Sequence, residues 1–223
     1  TMIALQKDGL CLLGAWNSFY QGVLDALPEA KIAVFWTSSI GEMNLEPSEV
    51  GVLQRLLEDH RIQRILTTSA TLAACHEKFV LASYPLAYQE YPLQEKQETM
   101  ALFCPTTFKK NILNQVFAAF EIAQAANLTL HTNTELPMPF LQATKLRSLS
   151  LVQHQWLPEN EYRKVIAGAK LNLAVSYAET FNYQATDAIM LGTPVVGSQV
   201  LPFLYGFRNT AKPFHPDDIM QKA

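Results

Sequence analysis

Two acids eight positions apart, Glu179 and Asp187, frame the start of a helical pattern that ends at Gly192 and passes directly into the apolar run Pro194-Val195-Val196. The first acid precedes the helix and the second lies inside it. A helix N-terminus offers backbone N–H groups without intrahelical partners and the positive end of the macrodipole, where phosphate and sugar oxygens sit favourably. Here those N–H groups belong to Thr180, Phe181 and Asn182. A carboxylate accepts two hydroxyl hydrogen bonds, so a pair of acids suits a ligand with vicinal diols at both ends, as in a nucleotide sugar. The same residues also fit a plainer reading: Asn182 is a sound N-cap, Gly192 a helix stop, and Glu179 a solvated loop acid.

A second group lies in the loop after residues 101–104, where Lys109 and Lys110 follow Pro105-Thr106-Thr107. A lysine beside a diphosphate stabilises charge building on a leaving group; without such a ligand it is a solvated loop lysine. The five histidines show no metal-ligand spacing, so no metal site is expected. His131 and His154 fall in or beside buried strands and are expected to bond neighbouring backbone. Trp156, before Pro158, reads as a core residue.

The elements that must position these groups alternate. Residues 10–13, 31–36, 62–69 and 79–82 read as strands, with helices over 18–27, from 46 onward and over 71–77. The second helix would bury Val50, Leu53, Leu56 and Leu57. Residues 85–100 change to Tyr, Gln, Glu and Pro without a period, which marks a linker. Strands at 101–104, 128–131, 149–156, 171–175 and 194–197 then alternate with helices at 112–126 and 158–169. The first of these helices would bury Leu113, Val116, Phe117, Phe120 and Ala123; the other would bury Tyr162, Val165, Ile166 and Ala169. Strands alternating with helices predict an α/β fold with parallel sheets. The expectation is two Rossmann-like units: a partial one over 1–93, reduced or truncated, and a ligand-binding one over 101–223.

Of 223 residues, 49% are apolar and 17% charged, enough for a packed core. The net charge of −3 without a basic stripe argues against nucleic acid as a partner. Three isolated cysteines without CxxC spacing point to a reducing, cytoplasmic compartment, and no apolar run reaches the length of a membrane span. The opening Thr1-Met2 and the helical start at 217–223 read as a fragment or a shortened member of a longer family.

The pattern Ser176-x-x-Glu179-x-Phe181-Asn182, then Asp187 and Ala188-x-x-x-Gly192-Thr193-Pro194-Val195-Val196-Gly197-Ser198, resembles the C-terminal signature of GT-B glycosyltransferases. It is closest to the retaining group 1 (family 4-like) enzymes with a Glu-x7-Glu motif, with Asp187 in place of the second glutamate. The resemblance covers residues 101–202, nearly half the chain. It implies a cleft between two units and transfer of a sugar, with retention, from a nucleotide diphosphate sugar to a hydroxyl of a glycan, lipid or protein acceptor, without cofactor or catalytic metal. Glu179 would orient the sugar, and Lys110, with the lysine-rich loop at Lys109, would stabilise the departing diphosphate. Thr180, Phe181 and Asn182 would meet sugar or phosphate oxygens, and Asp187 the ribose. The helix opened by Leu157 would lie beside a base read through backbone groups. Lys110-Asn111 followed by a helix with Gln115 matches a Lys-Asn subset of the family. The family's phosphate-binding arginine is missing, its place filled by Cys104 to Thr107, and Leu13-Gly14-Ala15 is a weak substitute for its glycine-rich acceptor loop. An incomplete GT-B fragment or pseudoenzyme acting as a binding or interaction module is therefore the alternative. A GT-B-fold epimerase would need more carboxylates around the sugar.

Overall fold

The computed structural model describes residues 3–6, 9–13, 22, 25–26, 28–83, 91–179, 181–204 and 209–223. The chain divides into two compact units, Thr1–Ala87 and Tyr88–Ala223. The loop at Gly14 and most of the helix expected over 18–27 lie outside the described residues.

The first unit holds β1 (Ile3–Gln6), β2 (Gly9–Leu13), β3 (Ile32–Trp36), α1 (Ile40–Leu45), α2 (Ser48–Glu58), β4 (Ile62–Thr67), α3 (Ala70–Ala73) and β5 (Phe79–Leu81). Its sheet runs β1-β2-β3-β4-β5, antiparallel at β1–β2 and parallel thereafter. The continuous apolar run at 32–36 takes the central position, which a strand covered on both faces requires. Ile32, Val34, Leu56, Ile62 and Ile65 form its core. Helix α2 buries Leu53 and Leu56, but Val50 is exposed and Val52 packs against the core in its place. Helix α1 was not anticipated, although Ser39 and Glu42 spell a capping box: Ser39 Oγ accepts from Glu42 N–H (3.2 Å) and Glu42 Oε2 accepts from Ser39 N–H (3.0 Å).

The second unit holds β6 (Thr99–Leu102), α4 (Ile112–Ala125), β7 (Thr129–Thr132), α5 (Met138–Leu146), β8 (Leu151–Gln153), α6 (Glu159–Gly168), β9 (Leu171–Ala174), α7 (Tyr183–Met190), β10 (Val195–Ser198), β11 (Thr210–Ala211) and α8 (Pro216–Lys222). Its strands are all parallel, in the order β11-β10-β9-β6-β7-β8. From β6 the chain builds outward through β7 and β8, then returns to build outward on the other side from β9. Both faces are covered. Met100 and Leu102 pack with Val116, Phe120 and Leu130 on one side, and Ala101 and Phe103 with Ile166, Ala167 and Leu191 on the other. Both sequence and structure therefore give an α/β fold with two sheets dominated by parallel strands.

Helix α4 is turned relative to its expected face. Leu113 and Phe117 are 60% and 44% exposed, while Gln115, Ala118 and Ala119 are buried with Val116, Phe120 and Ala123. Small alanines let the helix approach the sheet closely, and the larger residues stay outside. Strand β8 is also shorter than residues 149–156, and α5, announced by Pro137 and Pro139, was not expected. Truncation separates the two faces of α4. Phe120→Ala, which also removes an edge-to-face contact with Phe140, is expected to cost about 3–5 kcal/mol. Leu113→Ala should stay within about 0.5 kcal/mol of wild type in urea unfolding.

Candidate functional site

Strands β6 and β9 are neighbours at the point where the sheet changes its direction of growth, and in open α/β sheets such a point leaves a crevice at the strands' carboxyl ends. After β6 the chain passes Cys104 and makes a single 3-10 turn, Phe108–Lys110, into Asn111. Asn111 adopts the left-handed conformation (φ 55°) and its amide donates to the Pro213 carbonyl at 2.7 Å. After β9 come Ser176 and Glu179. The Lys110 ammonium pairs with the Glu179 carboxylate, whose Oε1 also accepts from Ser176 Oγ (3.2 Å) and Asn182 Nδ2 (3.4 Å). Glu179 is 5% exposed. A charge pair this deep is tolerated because neighbouring donors satisfy the carboxylate.

The Gln115 amide ties the two loops together. Its Nε2 donates to the Lys110 carbonyl (2.6 Å) and its Oε1 accepts from Val175 N–H (2.8 Å). Asn182 caps α7, its Oδ1 accepting from Ala185 N–H at 3.0 Å. The first-turn N–H groups of Tyr183 and Gln184 have no intrahelical acceptor, so α7 presents a positive end here. The helix stops at Gly192 (φ 67°) in a Schellman motif, with Thr193 N–H donating to Ala188 C=O (2.7 Å) and Gly192 N–H to Ile189 C=O (3.1 Å).

A cavity of about 760 Å³ opens over these loops, within the second unit. Its size falls in the range of small-molecule sites, about 300–1,000 Å³. Lys110, Leu157, Phe181, Asn182 and Asp187 all line it. Glu179 bears on it through Lys110. Lys109 is not among the lining residues; its carbonyl accepts from Tyr177 N–H at 2.8 Å. Thr180 lies outside the described residues.

The cavity's other groups were not foreseen in these roles. Asp187 lies beside the Tyr162 phenol. Burial lifts the Asp187 carboxyl above its ordinary value; Arg163 and the Tyr162 bond pull it back, and Glu159 adds to the rise. Burial, then the charge and bond of Asp187, pushes the Tyr162 phenol up. Arg163 pairs with Glu159 (2.6 Å) and lies over the Tyr91 ring (4.6 Å). Cys104, the first of the four residues in the stretch without the expected arginine, is buried and its thiol pushed up to about 11, burial outweighing the Thr134 bond and the Lys110 charge. That thiol is neutral and a poor nucleophile.

Two expectations are corrected. Trp156 is 89% exposed and lines the cavity, because β8 ends at Gln153 and the chain leaves the sheet after His154, whose N–H still donates to the Thr132 carbonyl (2.8 Å). His131 and His154 bond each other (Nδ1 to Nε2, 2.9 Å), with His154 stacked on Phe103 at 5.7 Å. Their register across β7 and β8 brings the rings together, which no strand pattern reveals. Burial, and then His154, holds the His131 imidazole below its ordinary value.

Asn133, after β7, also lines the cavity, and its Oδ1 is buried without a hydrogen-bond partner. An unpaired buried acceptor costs about 1–3 kcal/mol. Among the described residues no group of three or more His, Cys, Asp or Glu could hold a metal, and no helix is long and apolar enough to cross a membrane.

No protein-family model matches the sequence, and no curated protein does. Solved structures do match. TarM of S. aureus, in a complex containing UDP, aligns at a TM-score of 0.72 and 11% identity over 95% of this chain and 48% of its own. The sucrose-phosphate synthase of Thermosynechococcus elongatus aligns at 0.71 and 15%, over 95% and 62%. The pneumococcal O-GlcNAc transferase GtfA, with UDP and GlcNAc, aligns at 0.59 and 14%, over 95% and 48%. These neighbours are GT-B glycosyltransferases. The chain shares their fold. It spans about half the length of TarM and GtfA.

Asp187 offers a pH test of this geometry. An unfolded aspartate loses its proton near the ordinary 3.8, whereas the folded one keeps it to higher pH. The linked stability is full below 3.8 and lost as pH rises through the raised value. Asp187→Asn should therefore melt at or above wild type at neutral pH, with the gain shrinking on acidification in calorimetry. A variant that melts lower at neutral pH and recovers in acid would contradict the assignment.

Proposed function

We propose that the chain is the donor-binding part of a glycosyltransferase, moving a sugar with retention from a nucleoside diphosphate, uridine diphosphate in the first instance, to an acceptor hydroxyl. The observation that carries this is the Lys110–Glu179 pair beside the N-terminus of α7, at the switch point of a parallel sheet and on the wall of a ligand-sized cavity. The ligands of TarM and GtfA, both solved with UDP, support the choice of base.

In this reading an ammonium with three donors holds Glu179 and a phosphate oxygen together. The start of α7 adds its dipole, and the preceding Thr180, Phe181 and Asn182 add N–H donors, to the departing diphosphate. Glu179 fixes Lys110 and orients the sugar. Asp187, held by Tyr162, accepts from the ribose diol, and Leu157 and Trp156 flank the base. Lys109 contributes positive charge near the phosphates. The reaction needs no cofactor, and the acceptor is a glycan, lipid or protein hydroxyl. A cytoplasmic setting fits a soluble nucleotide-sugar supply.

A specific observation favours a second reading, a nucleotide-sugar-binding module without turnover. The stretch Cys104 to Thr107, where a phosphate-clamping arginine is expected, carries no cation and opens on a buried thiol, whereas a guanidinium would bind phosphate in two places.

Titration calorimetry with UDP and GDP tests the donor site. Saturable UDP binding is expected, weakened about 10- to 100-fold by Lys110→Ala or by Asp187→Ala, the loss of one charge-assisted bond. A folded chain that binds neither nucleotide would sink the reading. Release of free sugar or glycoside from a UDP-sugar then separates enzyme from module. The emission of exposed Trp156 should also be quenched on UDP binding, a change that Trp156→Phe abolishes.

A further inference from the structure

We infer that Asn133 reads the nucleobase, its Oδ1 accepting the N3–H of uracil; this rests on the nucleotide reading above. The order of strands gives the direction of the ligand. Along the carboxyl edge β9 and β6 deliver Glu179 and Lys110, and β7 and β8 deliver Asn133 and Trp156. A nucleotide with its phosphates at Lys110 lays its base toward the β7–β8 end, where an exposed indole offers a stacking face.

Asn133 sits in a rigid loop. Thr134 N–H donates to Thr132 Oγ1 (3.0 Å), Thr134 Oγ1 donates to the Cys104 carbonyl (2.8 Å), and the Thr134 carbonyl accepts from Gln153 Nε2 (3.1 Å). The polar groups on either side are satisfied, while Asn133 Oδ1 is buried with none. Among the described residues of this unit two other buried side-chain atoms lack partners, Asn111 Oδ1 and Asn172 Nδ2, but neither residue lines the cavity. A carbonyl oxygen repels phosphate and calls for a donor. The base edge supplies one that is fixed in the ring plane and is presented to whatever faces the edge. Specificity here is then read by a side chain as well as by backbone groups.

The test compares UDP with its N3-methyl analogue by calorimetry on the full chain, wild type and Asn133→Ala, with melting temperatures measured without ligand. Wild type is expected to bind N3-methyl-UDP at least about tenfold more weakly than UDP, and Asn133→Ala to bind the two alike. Without nucleotide, Asn133→Ala should melt at or above wild type, since it removes an unpaired oxygen. Wild type that binds both nucleotides equally, or a variant that keeps the discrimination, overturns the assignment while leaving the donor site standing. So does a variant that melts lower without ligand, which would give Oδ1 a structural partner. If wild type binds no UDP, the nucleotide reading falls and the role of Asn133 falls with it.

Discussion

The side-chain amide of Gln115 holds together two loops that the sequence separates by some sixty positions, as the Gln115–Val175 bond measures it. Its oxygen is committed to the backbone where β9 ends and its nitrogen to the carbonyl of Lys110. The bond to Val175 is buried, where losing it would leave a backbone N–H unpaired, and the bond to Lys110 is partly so. Lys110 is thus held on the side of β9, and Glu179 and Asn182 follow from there: the ammonium meets the carboxylate, the carboxylate takes the Asn182 amide, and Asn182 caps α7. A buried lysine–glutamate pair is costly unless its remaining valences are met. Here Ser176 and Asn182 meet them.

This chain of bonds depends on the sheet. Four-residue strands are stable in parallel array only when both faces are covered. Strand β6 and the residue after it achieve that by sending Met100 and Leu102 to one side and Ala101 and Phe103 to the other. The reversal between β6 and β9 opens the crevice, and helices α4 and α7 then supply Gln115 and a positive helix end at its floor. Alanines at 118, 119 and 123 bring α4 close enough for Gln115 to reach both loops.

The electrostatics of the cavity are restrained. Among the described residues its lining contains one ammonium, Lys110, against the carboxyls of Glu135, Glu159 and Asp187. Burial keeps Asp187 and Tyr162 reluctant to ionise and Cys104 neutral. A ligand carrying negative charge therefore relies on the Lys110 corner and the end of α7, while hydroxyls and ring donors meet the acceptor-rich remainder. Such a division suits a molecule with a charged middle and polar ends. It also shows what a missing guanidinium removes: the second, two-pronged grip on phosphate.

By itself the sequence determined the alternation of strands and helices, the strand at the apolar run 32–36, the Asn182 cap and the Gly192 stop. These are local matters of period, cap chemistry and backbone sign, legible within one or two turns. It also marked Lys110, Glu179 and Asp187 as chemistry-bearing, through residue types at short spacing. Only the tertiary structure decided that Lys110 and Glu179 touch, that His131 and His154 share a bond, that Asp187 leans on Tyr162, and that Asn133 faces a cavity unpaired. Each of these depends on strand register or on the approach of distant loops. The face of α4 and the exposure of Trp156 went against expectation for a related reason. Periodicity ranks residues by size and hydrophobicity, whereas packing against a sheet selects small residues for close contact and ends a strand where its neighbour ends.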